Sequence, residues 1–265
     1  MNKTKLLSAL LASVMLFTAC AAEKTKNDIS AEDTSILTEN TSESEAEKEV
    51  TKITYEIDPE KPVIALTFDD GPNTTTTSEV LDLLEKYNVR ASFFLIGTNI
   101  TEESAEVVKR AYDMGCEINN HSKTHSDMTK MTPQEIKDEV DFVSKKIKEI
   151  TGETARFFRP PYIAVNDTMY ESIDMPFIAG AGCNDWEDSV TADMRVKKIE
   201  RQLRDGVIIL MHDAEGNSQT VEALDTLIPE MLEMGYQFAT VSELFEAKGV
   251  QISGDDVNLY GEVKK

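Results

Sequence analysis

The chain has 265 residues, 29% of them charged, and a formal net charge of −22. So acidic a surface repels phosphate backbones and anionic headgroups, which argues against nucleic acid or anionic lipid as a surface partner and fits a neutral or cationic ligand. Beyond Cys20 only Cys116 and Cys183 remain, too few for a disulfide framework; these two either pair or stay as buried thiols.

Lys3 and Lys5 open the chain as a short basic segment. Leu6 to Phe17 follows as an apolar run with the length of a signal-peptide core, too short to span a bilayer as a permanent helix. It runs into Thr18-Ala19-Cys20, which resembles a bacterial lipobox, whose cysteine is lipidated and becomes the first residue of the mature protein. An ordinary secretory signal cleaved after Ala19 or Ala22 is the other reading. The expectation is therefore a signal peptide over residues 1–20, a lipid anchor on Cys20, and a place at the extracellular face of the bacterial cell membrane, or else secretion. Up to residue 50 the next segment carries only Ile29, Ile36, Leu37 and Val50 as aliphatic residues larger than alanine. Such a composition cannot bury enough surface to offset chain entropy, so 21–55 reads as a disordered acidic linker. Residues 56–250 then suit one domain, with 251–265 as a polar tail.

Within that domain, apolar and β-rich runs at Val63–Phe68, Ala91–Ile96, Phe157–Phe158, Phe177–Ala181, Val207–Met211 and Gln237–Val241, with a weaker one at Cys116–Ile118, predict strands. Helical spacing lies between them. Ile136, Val140, Val143, Ile147 and Ile150 recur every three or four residues, as do Val221, Leu224, Leu227, Ile228, Met231 and Leu232. Asn88, Gly115, Gly152 and Gly235 stand where a left-handed residue closes a helix. Alternation of this kind implies a parallel sheet, and seven or so units imply a closed or nearly closed β/α barrel.

The polar motifs follow the strands. Thr67-Phe68-Asp69-Asp70-Gly71-Pro72 puts two adjacent carboxylates after an apolar run, which is costly unless they bind something, although Asp-Gly-Pro is also turn chemistry. His121-Ser122-Lys123-Thr124-His125 holds two of the chain's three histidines, spaced to converge on one ion. Two imidazoles and one carboxylate make a three-ligand site with open positions, the catalytic rather than the structural pattern. The third histidine, His212, ends the run Ile209-Leu210-Met211 and precedes Asp213, a position suited to proton transfer. Arg159-Pro160-Pro161-Tyr162 supplies a cation on a rigid turn, and Asp185-Trp186 contains the only tryptophan.

Taken in order, these five motifs resemble those of the polysaccharide deacetylases, the NodB-homology domains of carbohydrate esterase family four, over roughly residues 60–245. The resemblance implies an α/β fold, a distorted (β/α)7 barrel forming a single catalytic domain. It implies a divalent metal, most commonly zinc with cobalt and other ions also possible, held by Asp70, His121 and His125. Asp69 would be the general base toward the water that the metal activates, and His212 the general acid toward the leaving group. The backbone N–H of Tyr162 would help stabilise the oxyanion. Arg159 would hold Asp69 ionised, Asp185 would orient His212, and Trp186 and Leu210 would wall the pocket for the acetyl methyl.

Three stretches depart from the family pattern. Gly182-Cys183-Asn184 lacks the acidic residue often found three before the Asp-Trp pair, Ile163 stands where glycine is frequent, and Cys116-Glu117-Ile118-Asn119 replaces His-Glu-Ile-Gly. The expected substrate is an acetylated polysaccharide, with N-deacetylation of N-acetylglucosamine in peptidoglycan or a related wall glycan ranked first. O-deacetylation of acetylxylan comes second, and an inactive polysaccharide-binding lipoprotein third. No feature points to a protein partner, and membrane contact is expected through the lipid anchor alone.

Overall fold

A computed structural model describes residues 50–254 and 256–264. The signal peptide, Cys20 and nearly all of the linker lie outside the described residues. Within them, no helix is long and apolar enough to cross a membrane.

The elements alternate as expected: β1 (Val63–Asp69), α1 (Thr76–Tyr87), β2 (Ser92–Leu95), α2 (Glu102–Asp113), β3 (Glu117–Asn120), α3 (Pro133–Thr151), α4 (Asp167–Ser172), β4 (Phe177–Ile178), β5 (Ala181–Gly182), α5 (Ala192–Glu200), β6 (Ile208–His212), α6 (Ser218–Glu233), β7 (Gln237–Ala239), α7 (Val241–Lys248) and β8 (Leu259–Tyr260). The central sheet runs β3-β2-β1-β6-β5. All its pairings are parallel, and β1 is buried along its whole length, as a strand covered on both faces must be. Ala65 pairs with both Ile208 and Ala239, so β7 takes the start of β1 on the edge where β2 takes its end. Parallel bridges from Asn120 to Phe158 and from Phe158 to Phe177 carry the ring on from β3 to β4, whose continuation β5 returns to β6. The result is the distorted (β/α)7 barrel, with Phe158 as a one-residue strand. The run at Phe157–Phe158 stops there because Pro160 and Pro161 follow and cannot donate to a ladder.

Several boundaries move. The Cys116–Ile118 run starts and ends later, as Glu117–Asn120, taking two polar asparagines into the sheet. The Gln237–Val241 run ends at Ala239, because Thr240 caps α7 by a reciprocal pair of hydrogen bonds with Glu243. The expected left-handed closures at Asn88, Gly115, Gly152 and Gly235 are all present. In α3, Ile136, Val140, Val143 and Ile147 are buried, and Thr132 with Glu135 caps the start. In α6, Leu232 turns outward while Leu224, Leu227, Ile228 and Met231 pack inward.

The ends of the folded unit also differ from expectation. Ile53, placed in the linker, is buried and donates its N–H to the Met114 carbonyl at 2.9 Å. The polar tail supplies β8, parallel to β4, and Val263, buried, donates its N–H to the Gly206 carbonyl at 2.7 Å. Gly206 has φ +83°, and a Cβ there would lie 2.0 Å from the Val263 carbonyl oxygen, so the strap requires glycine at that point. Leu259, Tyr260 and Val263 are too thinly spread among polar residues to show period-two alternation. Cys116 and Cys183 are buried free thiols, and burial pushes both up to about 12, where they are inert.

Candidate active site

The C-terminal ends of the strands hold the motif residues around a cavity of about 610 Å³. Asp69, Asp70, His121, His125, Tyr162, Trp186, Leu210 and His212 all line it. Arg159 and Asp185 stand behind that wall, both fully buried.

Asp69 is the last residue of β1 and Asp70 the first beyond it. Asp70 takes a left-handed backbone, φ +73°, so the two carboxylates part company through a reversal of the chain rather than by simple alternation along an extended strand. The turn is held from three sides. Asn99 donates its side-chain N–H to the Asp70 carbonyl at 2.8 Å. Asp213 accepts from the Gly71 N–H at 3.1 Å and from the Thr77 hydroxyl at 2.6 Å, and its own N–H bonds the Asp69 carbonyl at 3.0 Å. Asp213 is a positioning residue missed in the sequence; its only signal there was a second acid directly after His212. Burial, with the nearby charges of Asp70 and Asp69, raises its carboxyl to about 7.

His121 follows β3, and His125 sits in a tight loop with Ser122 and His125 both left-handed, at φ +66° and +56°. Ser122 donates its N–H to the Asn120 side chain at 2.9 Å, and its hydroxyl accepts from the His125 N–H at 3.0 Å. The Asn120 side chain is itself anchored to Val140 and Ser144 of α3. His121 Nδ1 lies 2.7 Å from the Arg159 carbonyl. A carbonyl can only accept, so Nδ1 carries a proton, and in the neutral ring Nε2 is the nitrogen whose lone pair faces the cavity. His121 Nε2 and His125 Nε2 each stand 3.6 Å from Asp70 Oδ1. Ligand atoms of Asp70, His121 and His125 all lie within 4.8 Å of one another. Burial, then the neighbouring His121, lowers the His125 pKa, which favours the neutral ring.

Arg159 is wholly buried and spends its donors inward: on Asp69 Oδ1 at 2.6 Å, on the Thr67 hydroxyl at 2.9 Å and on the Ala179 carbonyl at 2.9 Å, with its guanidinium 4.0 Å over the Phe94 ring. Burial alone would raise the Asp69 carboxyl, but Arg159, with His121 and His212, outweighs it and holds the group below its ordinary value. Oδ1 is thereby occupied, while Oδ2 faces His121 Nε2 at 3.7 Å.

On the far side His212, the last residue of β6, meets Asp185 twice: its ring Nδ1 at 2.8 Å from Oδ1 and its backbone N–H at 2.7 Å from Oδ2. Asp185 Oδ2 also accepts from the Thr220 hydroxyl at 2.9 Å, and Arg195 donates to that same hydroxyl at 2.8 Å. Burial pulls the His212 pKa down, yet the hydrogen bond and charge of Asp185, followed by Asp69 and Asp70, raise it to about 9. The ring is therefore an imidazolium at neutral pH, with Nε2–H free to face the cavity. The Trp186 ring stands edge-on to it, centroids 5.3 Å apart. Tyr162 and Trp186 are both exposed, at 67% and 58% of their surface.

Comparison with known proteins follows the same outline. The description of the polysaccharide deacetylase family matches residues 56–176. A bifunctional xylanase/deacetylase of Pseudobutyrivibrio xylanivorans is 55% identical over 181 residues, 68% of this chain and 30% of that protein. The peptidoglycan-N-acetylglucosamine deacetylase PgdA of Listeria monocytogenes is 37% identical over 180 residues, 68% of this chain and 38% of that protein. The chain thus spans about a third of the length of these two relatives. A family 4 acetyl xylan esterase of Clostridium thermocellum, solved with a cobalt ion, superposes with a TM-score of 0.74 at 40% identity, covering 76% of this chain and 98% of that one. By sequence and by fold alike, this chain belongs to the polysaccharide deacetylase family.

Proposed function

We propose that the chain is a metal-dependent deacetylase acting on an O-acetylated, xylan-type polysaccharide. The observation that carries the metal is Asp70 Oδ1, a buried carboxylate oxygen with no hydrogen-bond partner among the described residues, set equally between the Nε2 atoms of His121 and His125. A buried carboxylate oxygen left unpaired 3.6 Å from each of two imidazole nitrogens is costly unless a cation lies among them. The donor set of one carboxylate and two imidazoles suits zinc or cobalt and leaves positions open.

A bound divalent ion supplies Lewis acidity toward water and the acetyl carbonyl. The protein's own groups do the rest. Asp69, with Oδ1 pinned by Arg159, keeps Oδ2 ionised to take the proton of the attacking water. His212, made an imidazolium by Asp185, delivers its Nε2 proton to the departing sugar oxygen. Leu210 and Trp186 give the acetyl methyl an apolar wall. The backbone N–H of Tyr162, a residue that lines the same cavity, donates to the oxyanion as it develops.

For the substrate, the bifunctional xylanase/deacetylase at 55% identity and the acetyl xylan esterase at 40% favour O-acetylated xylan over the wall glycan ranked first from sequence. The N-acetyl reading keeps one support, the peptidoglycan deacetylase at 37%. Acetate release from acetylxylan, peptidoglycan and a chitin oligomer, measured side by side, separates the two, and silence on all three restores the inactive-lipoprotein reading. The lipid anchor on Cys20 and the extracellular membrane face belong to the same proposal. Retention of the full chain in the membrane fraction, lost in Cys20→Ser, is the measurement that bears on them.

A further inference from the structure

Ile163 occupies a backbone position that its side chain opposes. It has φ +56° and follows Tyr162 at φ +60°, two consecutive left-handed residues in a turn closed by the bond from the Ile163 N–H to the Pro160 carbonyl at 3.0 Å. Among the described non-glycine residues with positive φ (Asp70, Asn88, Ser122, His125, Tyr162, Ile163 and Asn184), Ile163 is the β-branched one, the class for which this region is least accessible. Core packing does not compensate: among the described residues, Ile163 joins none of the three apolar clusters. Its side chain instead lines the cavity beside Tyr162, together with Trp186 and Leu210.

Gly182 lines the same cavity and withholds bulk. A Cβ built there would meet nothing nearer than the Leu210 carbonyl oxygen at 3.7 Å, so a side chain would fit and none is present. The cavity is thus filled at Ile163, at a cost in backbone strain, and left open at Gly182, where filling would be free.

We propose that Ile163 is a specificity-determining residue, an apolar wall that admits a pentose polymer and disfavours a hexosamine polymer. The hydroxymethyl arm of a hexosamine pressed against a branched alkyl group loses its water and finds no partner, whereas a xylose ring carries only C–H at that carbon. This inference rests on the deacetylase reading of the site.

The test compares the wild type with Ile163→Gly, which fits the left-handed backbone, and Ile163→Asn, which tolerates it and keeps similar bulk but adds polarity. The substrates are acetylxylan, an N-acetylglucosamine pentamer and 4-nitrophenyl acetate, which carries no sugar. Both variants should lower the ratio of kcat/KM on acetylxylan to that on the pentamer by about 10-fold or more, chiefly through KM, the scale of a small apolar discrimination. Their rates on 4-nitrophenyl acetate report any change at the neighbouring oxyanion donor, and the ratio between the two glycans should shift whether or not that rate falls. A ratio unchanged in both variants, or an equal loss on all three substrates, overturns the role of Ile163. A wild type that releases acetate from none of the three overturns instead the deacetylase reading beneath it.

Discussion

Two acids sit at opposite ends of the same parallel strands and have opposite fates. Glu117 opens β3 at the base of the barrel. It is met there by the hydroxyl of Ser92 at 3.0 Å, the N–H of Ser242 at 3.3 Å and the hydroxyl of Ser242. Asp70, at the mouth, has a buried oxygen that none of the described residues satisfies. The backbone repeats the contrast. Six of the seven described non-glycine residues with positive φ (Asp70, Ser122, His125, Tyr162, Ile163 and Asn184) lie in the loops after the strands, and the seventh, Asn88, is an ordinary helix closure. A buried acid that the fold completes is structure; one that the fold leaves incomplete, in strained backbone, is a site waiting for a ligand.

Removing the ligand should give the largest effect. Chelation should abolish acetate release, and zinc or cobalt should restore it; full turnover in a rigorously metal-free preparation would erase the distinction between Asp70 and Glu117. Next comes Asp69→Asn, which should cost about 10²–10⁴-fold in kcat while metal content stays near normal. If Asp69→Asn loses the metal and Asp70→Asn keeps it, the two aspartates have been assigned in reverse. His212→Ala should also retain metal, with a penalty that depends on the leaving group: large for a sugar amide or ester, small for an activated aryl acetate. Equal losses on both would remove His212 from the acid role.

A sharper and smaller effect concerns pH. His212 is raised to about 9, so its acid form is present below that value and activity should fall as pH rises through it. Asp185→Asn removes the main raising influence and leaves burial, which lowers the pKa, so the alkaline limb should move to lower pH. A pH profile with an unmoved alkaline limb would assign that limb to another group. The smallest effect belongs at the base. Burial raises the Glu117 carboxyl, and Glu117→Gln, which keeps the shape and one accepting oxygen while its amide N–H can only donate to the Ser242 hydroxyl, should leave kcat/KM unchanged and cost about 1 kcal/mol of stability. A catalytic loss there would break the contrast between the two ends.

What could be read in advance divides along the same line. The strands and helices were visible because period and capping are local properties, as in the spacing from Ile136 to Ile147 with Thr132 and Glu135 at its start. The three histidines were visible because the chain has so few and sets each at or beyond the end of a strand, and Asp69, Asp70, Arg159, Tyr162, Asp185, Trp186 and Leu210 were visible through the resemblance of the five ordered motifs to the family. Phe158 shrinking to one residue was not, since its bridges to Asn120 and Phe177 are set by elements that meet only in the fold. Nor was the C-terminal strap, whose Val263 matters only because Gly206 receives it. Asp213 was hidden for a similar reason: its partners Gly71, Asn73 and Thr77 lie some 140 residues earlier.

That last residue also fixes a dimension. Asp213 directly follows His212, and through its N–H on the Asp69 carbonyl and its carboxylate on the Gly71 N–H it clasps the turn bearing the other proton carrier. The loops after β1 and β6 therefore move as one piece. The gap spanned between the group that receives a proton and the group that gives one is set like the jaws of a caliper locked by a single screw. A Cβ on Gly71 would lie 2.5 Å from the Asp213 carboxylate, so even a methyl at that screw would respace the jaws.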